Sequence, residues 1–318
     1  MTAMDTVKEV QAPKTRKARN GLIDLYRFLL ALVVVKSHSL FIVGGSYFGP
    51  GRVCVEFFFV LSGFLFLSFL KKTRDLSLAE SLLALCRSKL RPLAIPLAIG
   101  ILSNIVESII TADFSLFGYL WYIKVMLVEM AVLVLLQKLI KSEKVFTYTL
   151  VSIMIVALVL KFSGLCYSWG YIRGASSIPM GILIAKLPRL KPKCKWLLLI
   201  PLIPVFAACF SIVCFGLGNV EWLGIRIPEL LLDNLLYPAL IYLSFCLDLK
   251  CKLFSYLGAL SFGLYAFQCP ADLLRVLGVS SRPILFGFIL LATLMEDGGK
   301  RIYRFIKTKG NDDGIHGK

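Results

Sequence analysis

The sequence predicts an all-α, polytopic integral membrane protein with about ten transmembrane helices and both termini cytoplasmic, and three observations carry that prediction. The composition is 58% hydrophobic and only 17% charged, with a mean hydropathy of +0.80. A soluble domain averages about 45–50% apolar and about 25% charged residues. Apolar runs of about the length that crosses a bilayer recur along most of the chain. Lysine and arginine gather between alternate runs, as cytoplasmic connections require.

The same pattern excludes other classes. A net charge of +17 would point to nucleic acid in a soluble chain. Here the cations fall between apolar runs, not on a platform interleaved with aromatics, so no nucleic-acid partner is expected. The nine cysteines form no Cys-x-x-Cys pair and lie mostly inside apolar runs, which makes them small hydrophobic residues and not a disulfide framework. His38 and His316 are the only histidines, too few to ligate zinc or haem, so no metal is expected.

Taken in order, residues 1–20 form a polar tail in which Lys8, Lys14, Arg16, Lys17 and Arg19 outweigh Asp5 and Glu9, the signature of a cytoplasmic segment. The transmembrane domain is expected over residues 21–300, and a second cytoplasmic polar tail over 301–318. The first apolar run, Gly21 to Val43, exceeds the hydrophobic region of a signal peptide and reads as a span. Further runs lie at about 53–70, 92–111, 116–138, 145–163, 168–187, 196–216, 229–248, 253–270 and 282–299. One set of loops holds Lys71, Lys72 and Arg74, then Lys138 and Lys141, then Lys186 and Arg189, then Lys250 and Lys252. The opposite set holds little beyond Arg52, Lys161, Arg226, Arg275 and Arg282. An even number of spans with both ends inside satisfies this bias at every loop.

The first run carries Asp24, Arg27, Lys36 and His38. The steps from Arg27 to His38 give about 16 Å of rise and about three turns, so the two side chains share one helix face. Ionisable groups at hydrocarbon depth cost roughly 2.5–3.5 kcal/mol each, which favours a protein interior or wet cavity for them. Asp24 and Arg27 are either a buried helix pair or part of a site. Lys36 either snorkels or belongs to the same site. In the second run, Arg52 to Leu70, Glu56 precedes three aromatics and Ser62-Gly63. Glu56 is either an interfacial carboxylate or a site partner. Ser62 lacks the elbow context of a hydrolase nucleophile and reads as a hydrogen-bonding hydroxyl. Gly63 reads as a point of close helix approach.

Asp24-Leu-Tyr-Arg27, then His38, followed by Val55-Glu-Phe-Phe-Phe-Val-Leu-Ser-Gly-Phe64, resembles the signature of the acyltransferase-3 family of membrane O-acyltransferases. Leu120-Trp121-Tyr122 and Leu257-Gly-Ala-Leu-Ser-Phe-Gly-Leu-Tyr265 are similar to further landmarks of that family. The resemblance implies a bundle of about ten helices in a bacterial cytoplasmic (inner) membrane, an acyl-CoA donor, most simply acetyl-CoA, and a hydroxyl acceptor on a surface polysaccharide or glycolipid. It implies His38 as the general base with Glu56 orienting it, and Arg27, Arg87, Lys89 and Arg91 as partners of the coenzyme A phosphates. Asp24 would orient Arg27, and Ser62 and Gln268 would be supporting groups. The sequence departs from the family in two places. The basic pair after the second span, Arg87 and Arg91, is one residue wider than the usual Arg-x-x-Arg, though i and i+4 remain neighbours on a helix. Gln268 stands near the place of a customary histidine and cannot act as a base. A glycolipid or polysaccharide transporter without acyl chemistry is the rival reading of the same intramembrane charges.

Overall fold

A computed structural model describes residues 20–38, 49–112, 118–163, 170–190, 192–215, 221–222 and 225–313; the expectations for the N-terminal tail, the last five residues and the side chains of Lys36 and His38 lie outside them. The helices are α1 (Gly21–His38), α2 (Gly49–Thr73), α3 (Leu78–Lys89), α4 (Ala94–Thr111), α5 (Trp121–Leu139), α6 (Glu143–Phe162) and α7 (Gly170–Ala185). They continue as α8 (Pro192–Phe215), α9 (Ile227–Leu231), a π-turn (Leu232–Leu236), α10 (Tyr237–Leu247), α11 (Lys252–Ala266), α12 (Gln268–Val276) and α13 (Arg282–Asp313). Among the described residues, β structure is confined to a two-stranded antiparallel ladder, Glu221–Trp222 against Ile225–Arg226. The fold is all-helical, as the composition predicts.

Every apolar run carries a helix, but the count of about ten spans is not reached on length and apolarity alone. Among the described residues four helical stretches are long and apolar enough to cross a membrane: Val53–Thr73, Leu78–Thr111, Glu143–Phe162 and Ile227–Leu247. The shortfall has visible causes. α1 holds Asp24, Arg27 and Lys36, α5 holds Lys124, Glu129 and Lys138, and α7 and α11 are only 16 and 15 residues long. The expected run at about 253–270 is two helices, because Pro270 has no N–H to continue α11 and is tolerated only in the first turn of a new helix. The run at about 229–248 is interrupted by the π-turn just before Pro238, where the wider spacing relieves the clash of the proline ring with the preceding turn.

Glycines decide which helices touch. A Cβ on Gly63 of α2 would lie 2.0 Å from the Ile178 carbonyl oxygen of α7, and one on Gly181 of α7 would lie 2.0 Å from the Val60 carbonyl oxygen of α2. The two backbones are therefore in contact, as small residues permit in membrane helices. On the other side of α7, Gly170 faces Trp121 and Gly174 faces Val125 and Glu129 of α5. Gly258 of α11 receives Asp24 of α1 in the same way. Between these contacts Phe57, Phe59, Phe66, Met130, Ile178 and Tyr237 are completely buried.

One end of the bundle collects the basic loops. The Gly21 amide donates to the Leu249 carbonyl at 2.6 Å, and Asn20 Nδ2 to the Ser244 carbonyl at 2.7 Å, which fixes the start of α1 against the end of α10. Lys138 Nζ donates to the carbonyls of Thr73, Arg74 and Leu76, capping the C-terminus of α2 with a cation. Lys186 reaches Glu143 and Thr147, and Arg74 donates to the Lys141 carbonyl at 3.0 Å. The start of α3 is held by a capping box between Ser77 and Glu80. Lys161 corrects the loop assignment: it lies in the last turn of α6 and is buried, because two carboxylates inside the bundle compensate its charge.

Candidate active site

The end that gathers the loops is also where the bundle opens. A cavity of about 820 Å³ lies among the start of α1, the ends of α2 and α7 and the end of α10. Arg27, Lys71, Lys72 and Arg189 line it together with the carboxylates of Asp24 and Asp248, so cations outnumber anions. Its apolar wall includes Ile23, Phe64, Leu67, Ile184 and Phe245. Lys71, Lys72 and Arg189 are exposed and Arg27 is half-buried. The shape therefore offers charge at the mouth and an apolar wall with one guanidinium deeper in.

Arg27 is held from its own helix. Its Nη1 donates to Asp24 Oδ1 at 3.2 Å, and Asp24 is buried against Gly258. Both charges thus face protein, as the cost of placing them in hydrocarbon requires. Lys89, at the end of α3, lies within electrostatic range of Arg27, and so does the Tyr122 hydroxyl. Arg87 and Arg91 are exposed, and neither they nor Lys89 line the cavity. Of the four expected phosphate partners, the structure brings Arg27 into the cavity and Lys89 near it.

Beyond Arg27 stands a pair of hydroxyls. Ser62 Oγ and Tyr122 Oη are 2.9 Å apart, Tyr122 also donates to the Phe58 carbonyl at 3.2 Å, and Met126 Sδ lies 3.4 Å from each hydroxyl. Either hydroxyl can donate to the other, with the Phe58 carbonyl and the Met126 sulfur as further acceptors, so Ser62 is a bonded hydroxyl and not a free nucleophile. The Tyr122 ring is packed by Phe59 at 4.7 Å and by Tyr265 at 5.9 Å between centroids. Gln268 is buried at the first position of α12; its Nε2 donates to the Leu264 carbonyl at 3.4 Å and its Oε1 has no partner among the described residues.

Glu56 is the centre of a buried ionic cluster. Arg173 Nε donates to its Oε1 at 2.6 Å, Lys161 Nζ to the same oxygen at 3.2 Å, and Ser177 Oγ to its Oε2. Lys161 also donates to Asp233 on the π-turn at 2.9 Å. The Arg173 guanidinium lies 5.9 Å from the Trp121 ring centroid. The cluster joins α2, α6, α7 and the π-turn, and both Glu56 oxygens are bonded in it. It anchors the fold; any contact of Glu56 with His38 lies outside the described residues. His38 is the last residue of α1, at the opposite end of that helix from the cavity. Arg173 and Asp233 have no role in the sequence reading, and Lys161 figures there only as a loop charge, although charges inside apolar runs are the available signal.

The fold and the site together define an all-helical membrane protein with a basic cavity at one end and buried ionisable and hydroxyl groups leading inward from it. The model of one family matches residues 20–295, described as an acyltransferase domain. The chain belongs to the acyltransferase-3 family, and it is an acyltransferase of the membrane. Comparisons with curated proteins and with solved structures gave no match.

Proposed function

We propose that the protein is an O-acyltransferase that takes an acyl group, most simply acetyl, from acyl-CoA and transfers it to a sugar hydroxyl of a surface polysaccharide or glycolipid, in a bacterial cytoplasmic membrane. The observation that carries this reading is the basic cavity at the end of the bundle that collects the loop cations. Such loops mark the cytoplasmic side, where acyl-CoA is found. The nucleotide end and its phosphates meet Lys71, Lys72 and Arg189 at the mouth, and Arg27 inside. The apolar wall takes the pantetheine arm. Along α1 the distance from Arg27 to His38 is about 16 Å, a span the extended arm covers.

In the reaction the acceptor oxygen attacks the thioester carbonyl, a C–O bond forms, the C–S bond breaks, and the hydroxyl proton passes through His38 to the departing thiolate. Asp24 holds Arg27 in its rotamer. Gln268, with a buried acceptor oxygen to spare, orients a donor at the far side. Arg87 and Arg91, exposed outside the cavity, contribute little in this account, and the cavity cations take the role the resemblance gave them.

Equilibrium binding of acetyl-CoA to protein in nanodiscs separates these assignments. Combined Lys71→Gln, Lys72→Gln and Arg189→Gln is expected to weaken binding about tenfold or more, since each charged hydrogen bond is worth roughly 1.5–3 kcal/mol before screening. Combined Arg87→Gln and Arg91→Gln is expected to change it by less than about threefold, in keeping with screened surface charge. The opposite ranking would move the donor site to α3.

A further inference from the structure

The last helix is longer than its apolar part. α13 runs 32 residues, from Arg282 to Asp313, or about 48 Å, against a hydrocarbon core about 30 Å thick. Its first part buries Leu285, Ile289 and Thr293 in the bundle, with Thr293 seated over Gly263 of α11. From Glu296 the character changes. Glu296 pairs with Lys300, and Asp297 with Arg301 at 2.7 Å. The sequence from Lys300 to Lys309, KRIYRFIKTK, then adds Arg304 and Lys307 and contains no carboxylate.

Within this segment Ile302, Tyr303 and Ile306 are 63%, 66% and 63% exposed, so they are left largely uncovered among the described residues. Ile302 and Ile306 stand one turn apart with Tyr303 beside them, an apolar face flanked by cations. The Arg301 guanidinium lies 4.6 Å from the Tyr256 ring centroid at the start of α11, which sets the segment at the basic end of the bundle. Gly298 and Gly299 sit where the apolar part gives way to the basic part, and a Cβ on either would meet nothing within 4 Å. Paired glycines are where a long helix bends at least cost.

We propose that residues 300–309 form a membrane-surface anchor that lies in the interface at the basic end of the bundle, with Ile302, Tyr303 and Ile306 facing the acyl boundary and the cations on anionic phospholipid headgroups. The chain reaches that position by bending at Gly298–Gly299. Exposed apolar side chains beside cations are the combination that an anionic lipid surface satisfies on both counts. A purely polar partner would leave the apolar face wet, and a purely apolar one would strand the cations.

Hydrogen–deuterium exchange on the full chain in nanodiscs tests this. Phosphatidylcholine discs are compared with discs in which about a third of the lipid is phosphatidylglycerol, a composition that gives the surface a negative potential. Amides of residues 300–313 are expected to exchange about tenfold more slowly in the anionic discs, with the difference abolished by high salt and by combined Lys300→Gln, Arg304→Gln and Lys307→Gln. Peptides from α2 and α7 report that the variant remains folded, and the salt series on the unaltered protein answers the question if it does not. Equal exchange in the two lipids would overturn the proposal. Protection that follows protein concentration in detergent would overturn it too, by assigning the face to a second copy of the chain.

Discussion

Arg173 and Glu56 show at the scale of a single residue why the charges inside this bundle are tolerated. Glu56 is completely buried and takes hydrogen bonds from Arg173, Lys161 and Ser177. Removing one cation strands a carboxylate in a low dielectric. Arg173→Met is expected to cost about 3–5 kcal/mol, read as a lower thermal midpoint in detergent, and adding Glu56→Gln to it should restore part of the loss. Tyr122→Phe is milder: it removes the bonds to Ser62 and the Phe58 carbonyl and is expected to cost about 1 kcal/mol, with acetyl-CoA binding unchanged. At this scale the sequence was readable wherever one residue type was improbable in its surroundings. Asp24, Arg27, Glu56 and Ser62 stood out in apolar runs, and the structure gives each a protein partner. Lys161 was misplaced because it is the penultimate residue of its helix and so resembles a loop charge. Its pairing with Glu56 across 105 residues, and that of Arg173 across 117, leaves no trace in spacing.

Helix contacts depend on a few glycines, and changes there act on elements rather than on charges. At Gly181 the obstructing atoms are backbone atoms of α2, which cannot rotate away. Gly181→Ala is expected to cost roughly 1–3 kcal/mol or more, seen as a loss of folded protein on heating, and Gly63→Ala should behave alike because it meets α7 across the same contact. By contrast Gly298→Ala, in open space within α13, should raise the thermal midpoint slightly, since alanine is favoured over glycine in a helix interior by about 0.5–1 kcal/mol. Helix positions were legible because long apolar runs admit little else. Gly63 was legible as a site of close approach, but its partner was not, since nothing in the sequence says which helix arrives there. The division of the ninth run was hidden because hydropathy is blind to the backbone consequence of Pro270.

The whole molecule sorts its charge by end. α2, α5, α7 and α10 finish, and α1, α6 and α11 begin, where Lys71, Lys72, Lys138, Lys186 and Arg189 gather; the alternation inferred from loop charge has a spatial counterpart in the bonds that tie those ends together. The cavity opens among the same residues. Its position was only half legible: Arg27 was a candidate from the start, while Lys71, Lys72 and Arg189 looked like ordinary topology signals until three helix ends converged on one space. An anionic donor drawn to exposed cations should bind more weakly as ionic strength rises, and acetyl-CoA affinity measured across a salt series should fall for the wild type and more gently for the Lys71, Lys72 and Arg189 variant.

The claim on which the rest depends is that a donor held at this cavity is consumed by a base at the other end of α1. Thiol release from acetyl-CoA by the protein in nanodiscs, with a glycolipid extract as acceptor, measures it directly for wild type and His38→Ala. Turnover is expected in the wild type, with a loss of about a hundredfold or more in the variant, and with acetyl-CoA binding and the thermal midpoint retained. Turnover that survives in His38→Ala would contradict it.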